Sequence, residues 1–233
     1  MDAHHAVHGA REINQASTLM SILSLTTFTY VFCGDDAAAT AQLDELAGLA
    51  EEKGALYWRA FTLWMQGWLL TLAGKAPEAV HKLTSGITAW RSTGAALYAP
   101  TQLSYLATAY AKLGQFDDAR RSIGEAMTAM ETSKETWFEA ELNRIAGEIA
   151  LKSPERDLIR AQAFFERALA VARQHQAKSW ELRAAMSLAR LWRDQGKVQQ
   201  ARDLLAPVHG WFTEGFDTRD LKEAKALLDA LAS

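Results

Sequence analysis

The sequence has a single cysteine, Cys33, so it lacks the second thiol that an intramolecular disulfide framework needs. It also lacks a basic excess. Lys and Arg total 25 against 28 Asp and Glu, a formal charge of -3, which leaves nothing to neutralise a phosphate backbone and argues against nucleic acid as a partner. No positively charged segment leading into an apolar stretch and a small-residue cleavage site is present. The most apolar early stretch, Leu19–Phe32, is 14 residues long and includes Ser21, Ser24, Thr26, Thr27 and Thr29. That is short of the ~20 apolar residues a bilayer span requires, so we expect a buried helix, no membrane partner and a cytoplasmic location.

Catalytic signatures are missing too. There is no G-x-x-x-x-G-K-[ST] phosphate loop, no metal-ligand cluster with recognisable spacing and no nucleophile beside a base, so neither a catalytic residue nor a cofactor is expected. No segment has the two-residue period of a strand.

What the sequence does contain is a repeat. Glycine followed five residues later by alanine recurs as Gly34 with Ala39, Gly74 with Ala79, Gly114 with Ala119 and Gly196 with Ala201, the first three pairs 40 residues apart. A second series in the same period, Asn14, Gly54 and Gly94, supplies residue types that accept the left-handed conformation ending a helix. Two breaks per period imply one helical hairpin per repeat. Between Gly114 and Gly196 the missing member falls at Lys152–Glu155, where Ser153 as N-cap and Pro154 in the first turn are expected to start a helix, with Ala161 in the alanine position two residues late.

These signals predict an all-α fold: a right-handed α-solenoid of about five tetratricopeptide-like hairpins, forming one domain over 1–233. The hairpins are expected at 15–54, 55–94, 95–134, 135–177 and 178–210, followed by a C-terminal cap over 211–233. First helices are expected near 18–32, 56–73, 96–113, 135–152 and 179–195, and second helices near 36–53, 77–93, 117–132, 156–175 and 198–209. Small and large positions recur in each hairpin, as with Gly67, Leu70, Ala79 and Leu83 in the second and Gly147, Ala161, Phe165 and Ala168 in the fourth, and suit close helix approach. Pro207 should kink or end the last second helix, and Asp217-Thr218 should cap a final amphipathic helix over about 218–231. Residues 1–14 read as the second helix of a preceding hairpin whose first helix is missing, so the expectation is a piece of a longer array unless Met1 is the true start of a shortened protein.

The segments ERALAVAR at 166–173, AKSWELRAAMSLARLW at 177–192 and LLAPVHGWFTEGFDTRDLKEAKALL at 204–228 resemble the C-terminal helical-repeat region of bacterial signalling proteins. Those proteins join a class III adenylate or guanylate cyclase domain to an ATPase module. The resemblance implies a regulatory repeat region and carries no catalytic residue with it, because the family's cyclase aspartates and phosphate loop belong to other domains.

In such arrays the first helices line a concave face, which makes their outward positions the default binding surface. They fall at Phe28, Phe32, Trp64, Trp68 and Leu72 in the first two hairpins, and at Arg144, Glu148, Lys152, Arg190 and Arg193 in the last two. One reading is a groove holding a protein or peptide segment, or another domain of the parent chain, through aromatic anchors and orienting charges. A second is an aromatic pocket that senses a small molecule, and a third is self-association into a homo-oligomer. Against all three stands the simpler reading that Phe28 and the two tryptophans pack on one another or against repeats missing upstream.

Three further groups are expected to be structural. His4 and His8 are spaced to share a helix face, but solvent-exposed imidazoles are favoured over a metal site whose nearest carboxylate would be Asp2. Asp35-Asp36 and Asp117-Asp118 read as turn residues that cap the next helix rather than paired catalytic or metal-binding carboxylates, and Cys33 as a small core residue.

Overall fold

The computed structural model describes residues 3–232, which form twelve α-helices and, among those residues, no strand. The chain divides into two compact units, residues 1–97 and 98–233.

Unit 1 holds α1 (Ala3–Ile13), α2 (Ala16–Cys33), α3 (Asp36–Glu52), α4 (Leu56–Leu72) and α5 (Ala76–Ser92). Each helix packs on the next, and α2 also packs on α4. Unit 2 holds α6 (Ala99–Lys112), α7 (Phe116–Ser133), α8 (Glu139–Lys152), α9 (Leu158–Gln174), α10 (Lys178–Asp194), α11 (Val198–His209) and α12 (Arg219–Ala230). Here the helix pairs α6–α7, α8–α9 and α10–α11 stack through α6 on α8, α8 on α10 and α10 on α12.

The cause of this regularity is a left-handed residue at nearly every turn. Positive φ occurs at Asn14, Gly34, Gly54, Gly74, Gly94, Gly114 and Lys134, 20 residues apart, and then at Arg156, Gln176 and Gly196. At most of these turns the amide of the residue after the left-handed one reaches back five residues, as from Asp35 to Tyr30 (2.9 Å) and from Lys197 to Trp192 (2.8 Å). That bond satisfies a carbonyl the helix leaves open, and the left-handed residue aims the chain into the next helix. The expected two-residue insertion sits in one such turn, where Asp157 reaches back seven residues to Ala150 (3.2 Å).

Alanine at the matching position of each second helix lets the pair close. Ala39, Ala79, Ala119, Ala161 and Ala201 are all fully buried, facing Leu43, Leu83, Ile123, Phe165 and Leu205 one turn on. At Gly86 and Gly147 the approach is tightest: a Cβ would lie 2.5 Å from the Trp64 backbone nitrogen at the first and 2.5 Å from the Phe165 ring at the second.

Several local expectations need correction. Helix α6 starts at Ala99, later than expected, because Pro100 fits only a first turn, where its missing amide is not needed. Helix α9 starts at Leu158 on an Asp157 cap, whose side chain accepts from the Arg160 amide at 2.9 Å; Ser153 instead ends α8. Asp35 does cap α3 through the Ala38 amide (3.0 Å), whereas Asp117 and Asp118 lie inside the first turn of α7, paired with Arg120 and Arg121. Cys33 is exposed at the end of α2 rather than part of the core.

Helix α2 is longer than the apolar stretch first counted. Its 18 residues, with a mean hydropathy of 1.4, are enough by length and composition to cross a membrane, but one face packs on α1, α3 and α4. Helix α11 ends at His209, two residues after Pro207, whose missing amide removes a donor from the helix, and Gly210 is its C-cap. Of the residues considered for the histidines, Asp2 lies outside the described residues. His8 sits 3.3 Å from Glu12 and His4 lies edge-on to Tyr30, so the two imidazoles are engaged separately.

Candidate functional site

In unit 1 the aromatic candidates divide between core and surface. Trp64 is fully buried, with its ring centroid 5.0 Å from Phe61, 5.9 Å from Phe28 and 6.4 Å from Trp90. Phe28 is also buried and stacks on Phe32 at 5.8 Å. These rings fill the interior between α2, α4 and α5, so Trp64 and Phe28 are core residues rather than groove anchors. Phe32, Trp68 and Leu72 are half-buried and keep a face toward the outside.

Unit 2 brings its charged candidates together. Arg144 donates to both Glu141 oxygens at 2.8 Å from Nε and Nη2, and its Nη1 lies 3.5 Å from Glu148. Lys152 closes on Glu148 at 3.3 Å, one turn further along α8. From α10, Arg183 donates to Glu141 at 2.9 Å and to Asp220 of α12 at 2.7 Å, while the Ser187 hydroxyl donates to Glu148 at 3.0 Å. A single ladder of ion pairs therefore ties α8, α10 and α12. Arg190 pairs separately with Glu223 of α12 (2.9 Å), and Arg193 turns to its neighbour Asp194 and does not join.

The ladder's centre was not among the residues expected from sequence. Glu141 is only 5% exposed at its side chain, and Arg183, Asp220 and Ser187 are likewise largely enclosed. A signal did exist. Counting by the repeat, Phe61 corresponds to Thr101, Glu141 and Arg183, so opposite charges occupy a register that is apolar core in α4. Two charges in consecutive core registers can be accommodated only as a pair.

Burial by itself would raise the Glu141 carboxyl, but the charges and hydrogen bonds of Arg144 and Arg183 hold it below the usual glutamate range. Glu148 is lowered in the same way against its own burial, by Arg144, Lys152 and the Ser187 hydroxyl. Burial works against both guanidiniums, yet Glu141 keeps Arg144 and Arg183 more firmly protonated than usual. Tyr105, buried in α6, is pushed up by desolvation and by the Glu141 charge. General acid–base work needs carboxyls raised toward neutrality; here they are driven the other way. Three cations, Arg144, Arg183 and Lys152, balance three anions, Glu141, Glu148 and Asp220, so the ladder's own charge favours neither an anionic nor a cationic ligand. Its clearest effect is to fix how successive helices sit.

Two clefts border the ladder's helices. One, of about 330 Å³, lies between α7, α8 and α9, floored by Ile123, Met127, Ile149 and Phe164 and rimmed by Arg120 and Arg160. The other lies at the start of α10, where Glu181 accepts from Arg173 (2.9 Å) and Lys178 (2.7 Å), and Lys178 stands 5.6 Å from the exposed Trp211 ring. Among the described residues no three His, Cys, Asp or Glu side chains converge as a metal site would require.

No family model matches the sequence, and no curated protein does either. Among solved structures the chain is similar to the crystal structure of BtubC (BKLC) from P. vanneervenii, with a TM-score of 0.61 over 99% of this chain and 90% of that one. The two sequences are 18% identical, so the likeness concerns the fold and nothing finer.

Proposed function

We propose that this chain is a non-catalytic, tetratricopeptide-like interaction module, a right-handed α-solenoid that binds a protein or peptide segment and regulates a signalling protein of the cyclase–ATPase type. The observation that carries the reading is the alignment of α8, α10 and α12 by one balanced ladder of ion pairs. A row of parallel helices held in fixed register offers side chains at regular intervals, which is what an extended segment needs. Along that row Lys152, Arg190 and Arg193 keep much of their surface in solvent. The resemblance at 166–192 and 204–228 is what points to signalling.

The test is a double charge reversal, Arg190→Glu with Arg193→Glu, compared with the parent chain in partner capture and crosslinking. Both residues lie outside the ladder and are exposed enough for folding to survive, which far-UV circular dichroism checks. Capture lost with the fold intact supports the reading; capture unchanged defeats it.

The cleft between α7, α8 and α9 favours one alternative, a small-molecule sensor, and moves that idea away from the aromatic residues of unit 1, whose rings are in mutual contact. A ligand at 100 times its dissociation constant should add about 2.7 kcal/mol of stability. A thermal-shift screen with small amphipathic acids, repeated on Gly124→Leu to fill the cleft, separates this reading from the first.

A further inference from the structure

Helix α2 contains no Asp, Glu, Lys or Arg in 18 residues, and its apolar side chains run right round it, yet α1, α3 and α4 cover only one side. The least covered stripe is Thr18, Ile22, Leu25 and Thr29, spaced to lie along one helix face, with Leu25 and Thr29 exposed and Thr18 and Ile22 half-buried. Leu25 on it is 55% exposed. In the hairpins that follow, this register is closed: the positions matching Ile22 and Leu25 are Thr62 and Met65 in α4, Leu142 and Ile145 in α8, and Ala184 and Ser187 in α10, all buried. Helix α4 packs on α2, α3 and α5. Only in α2 does the stripe stand open.

Beside the stripe runs a groove of about 740 Å³ between α1 and α2, floored by Ala6, Gly9 and Ala10 and flanked by His5, Ile22 and Ile13, the last 58% exposed. The small residues leave a hollow: a Cβ added at Gly9 would meet nothing within 4 Å. One face thus holds large knobs, Ile22 and Leu25, next to a hole lined by small residues, with no acidic side chain, lysine or arginine on the stripe or groove.

We propose that this α1–α2 face is a self-association surface, on which a second copy of the chain docks its own α2 in a two-fold arrangement. A face bearing both a knob and a matching hole is complementary to itself, as an isologous contact demands. Charge favours the same occupant. The outer side of α12, by contrast, carries Lys222, Glu223, Lys225 and Asp229, and seating it in this groove would strip water from charges that find no partner there. The α2 of a second copy brings no charge at all. This surface is separate from the ladder of unit 2, so it stands or falls independently of the proposed partner binding.

The experiment is sedimentation equilibrium of the full chain over a wide concentration range, with Leu25→Glu and Gly9→Leu measured alongside. Leu25 is exposed, and leucine at Gly9 enters open space while favouring the helix, so both variants should keep the parent's helical circular dichroism. The parent should reach twice the monomer mass as concentration rises. Leu25→Glu places two carboxylates face to face across the two-fold, and Gly9→Leu plugs the hole; each should weaken the dimer at least about tenfold. A parent that stays monomeric, including one that instead sediments with lipid vesicles or a different protein, overturns the proposal. So does a dimer that survives both substitutions.

Discussion

Removing the Glu141 carboxylate tests the ladder most directly. The side chain is 5% exposed and accepts three charge-assisted hydrogen bonds, two from Arg144 and one from Arg183. Glu141→Ala leaves two guanidiniums of like charge in a largely enclosed site. Breaking a buried ion pair from one side costs about 3–5 kcal/mol. Because Arg183 keeps Asp220 and Arg144 keeps Glu148, the loss should fall at the low end, about 3 kcal/mol. Urea unfolding at neutral pH measures it, and a double-mutant cycle with Arg183→Ala isolates the pair, with a coupling of about 1.5 kcal/mol or more expected. Acidity supplies a second reading. The folded-state carboxyl titrates below the ordinary glutamate value of 4.5. Its stabilisation is therefore complete above that value and is lost as pH falls through the lower folded-state one. Glu141→Gln should flatten this part of the acid limb. A coupling near zero, or stability curves for parent and Glu141→Gln that run parallel below pH 4.5, would refute the ladder as a structural tie.

Three other outcomes follow from the packing. Lys134→Gly and Gln176→Gly relieve side chains held at positive φ, 60° and 54°, and should each raise stability by about 1 kcal/mol in thermal unfolding. Trp64→Ala empties the centre of the unit 1 core and should cost about 3–5 kcal/mol, whereas Trp68→Ala, half-buried, should cost distinctly less; chemical denaturation of the two variants compares them. Gly147→Val drives a side chain into the Phe165 ring and should cost at least about 1–3 kcal/mol by the same assay, with the loss centred on unit 2.

Sequence alone was informative about elements and poor about surfaces. The positions of Gly34, Gly54, Gly74, Gly94 and Gly114 announce the turns, because a left-handed backbone costs least for a residue without a Cβ. Lys134, Arg156 and Gln176 adopt the same conformation without the glycine, so their turns could be inferred only by extending the period. Pro100 explains in retrospect why α6 starts late. Trp64 shows the opposite difficulty: helical periodicity says which residues share a face, not which face is covered, and a register that points outward on an isolated hairpin becomes interior once a neighbour lies over it.

The ladder makes the same point for charge. Composition and spacing determined that the described chain is all helix, that its breaks recur every 20 residues or so, and that small and large residues alternate where helices meet, since these are local demands on the backbone and on neighbouring side chains. Only the tertiary structure decided that Glu141, Arg183 and Asp220 meet, and that Leu25 stays open while its counterpart Met65 is sealed. Those outcomes depend on which helix lies against which, a relation between residues some 40 positions apart that no local pattern encodes.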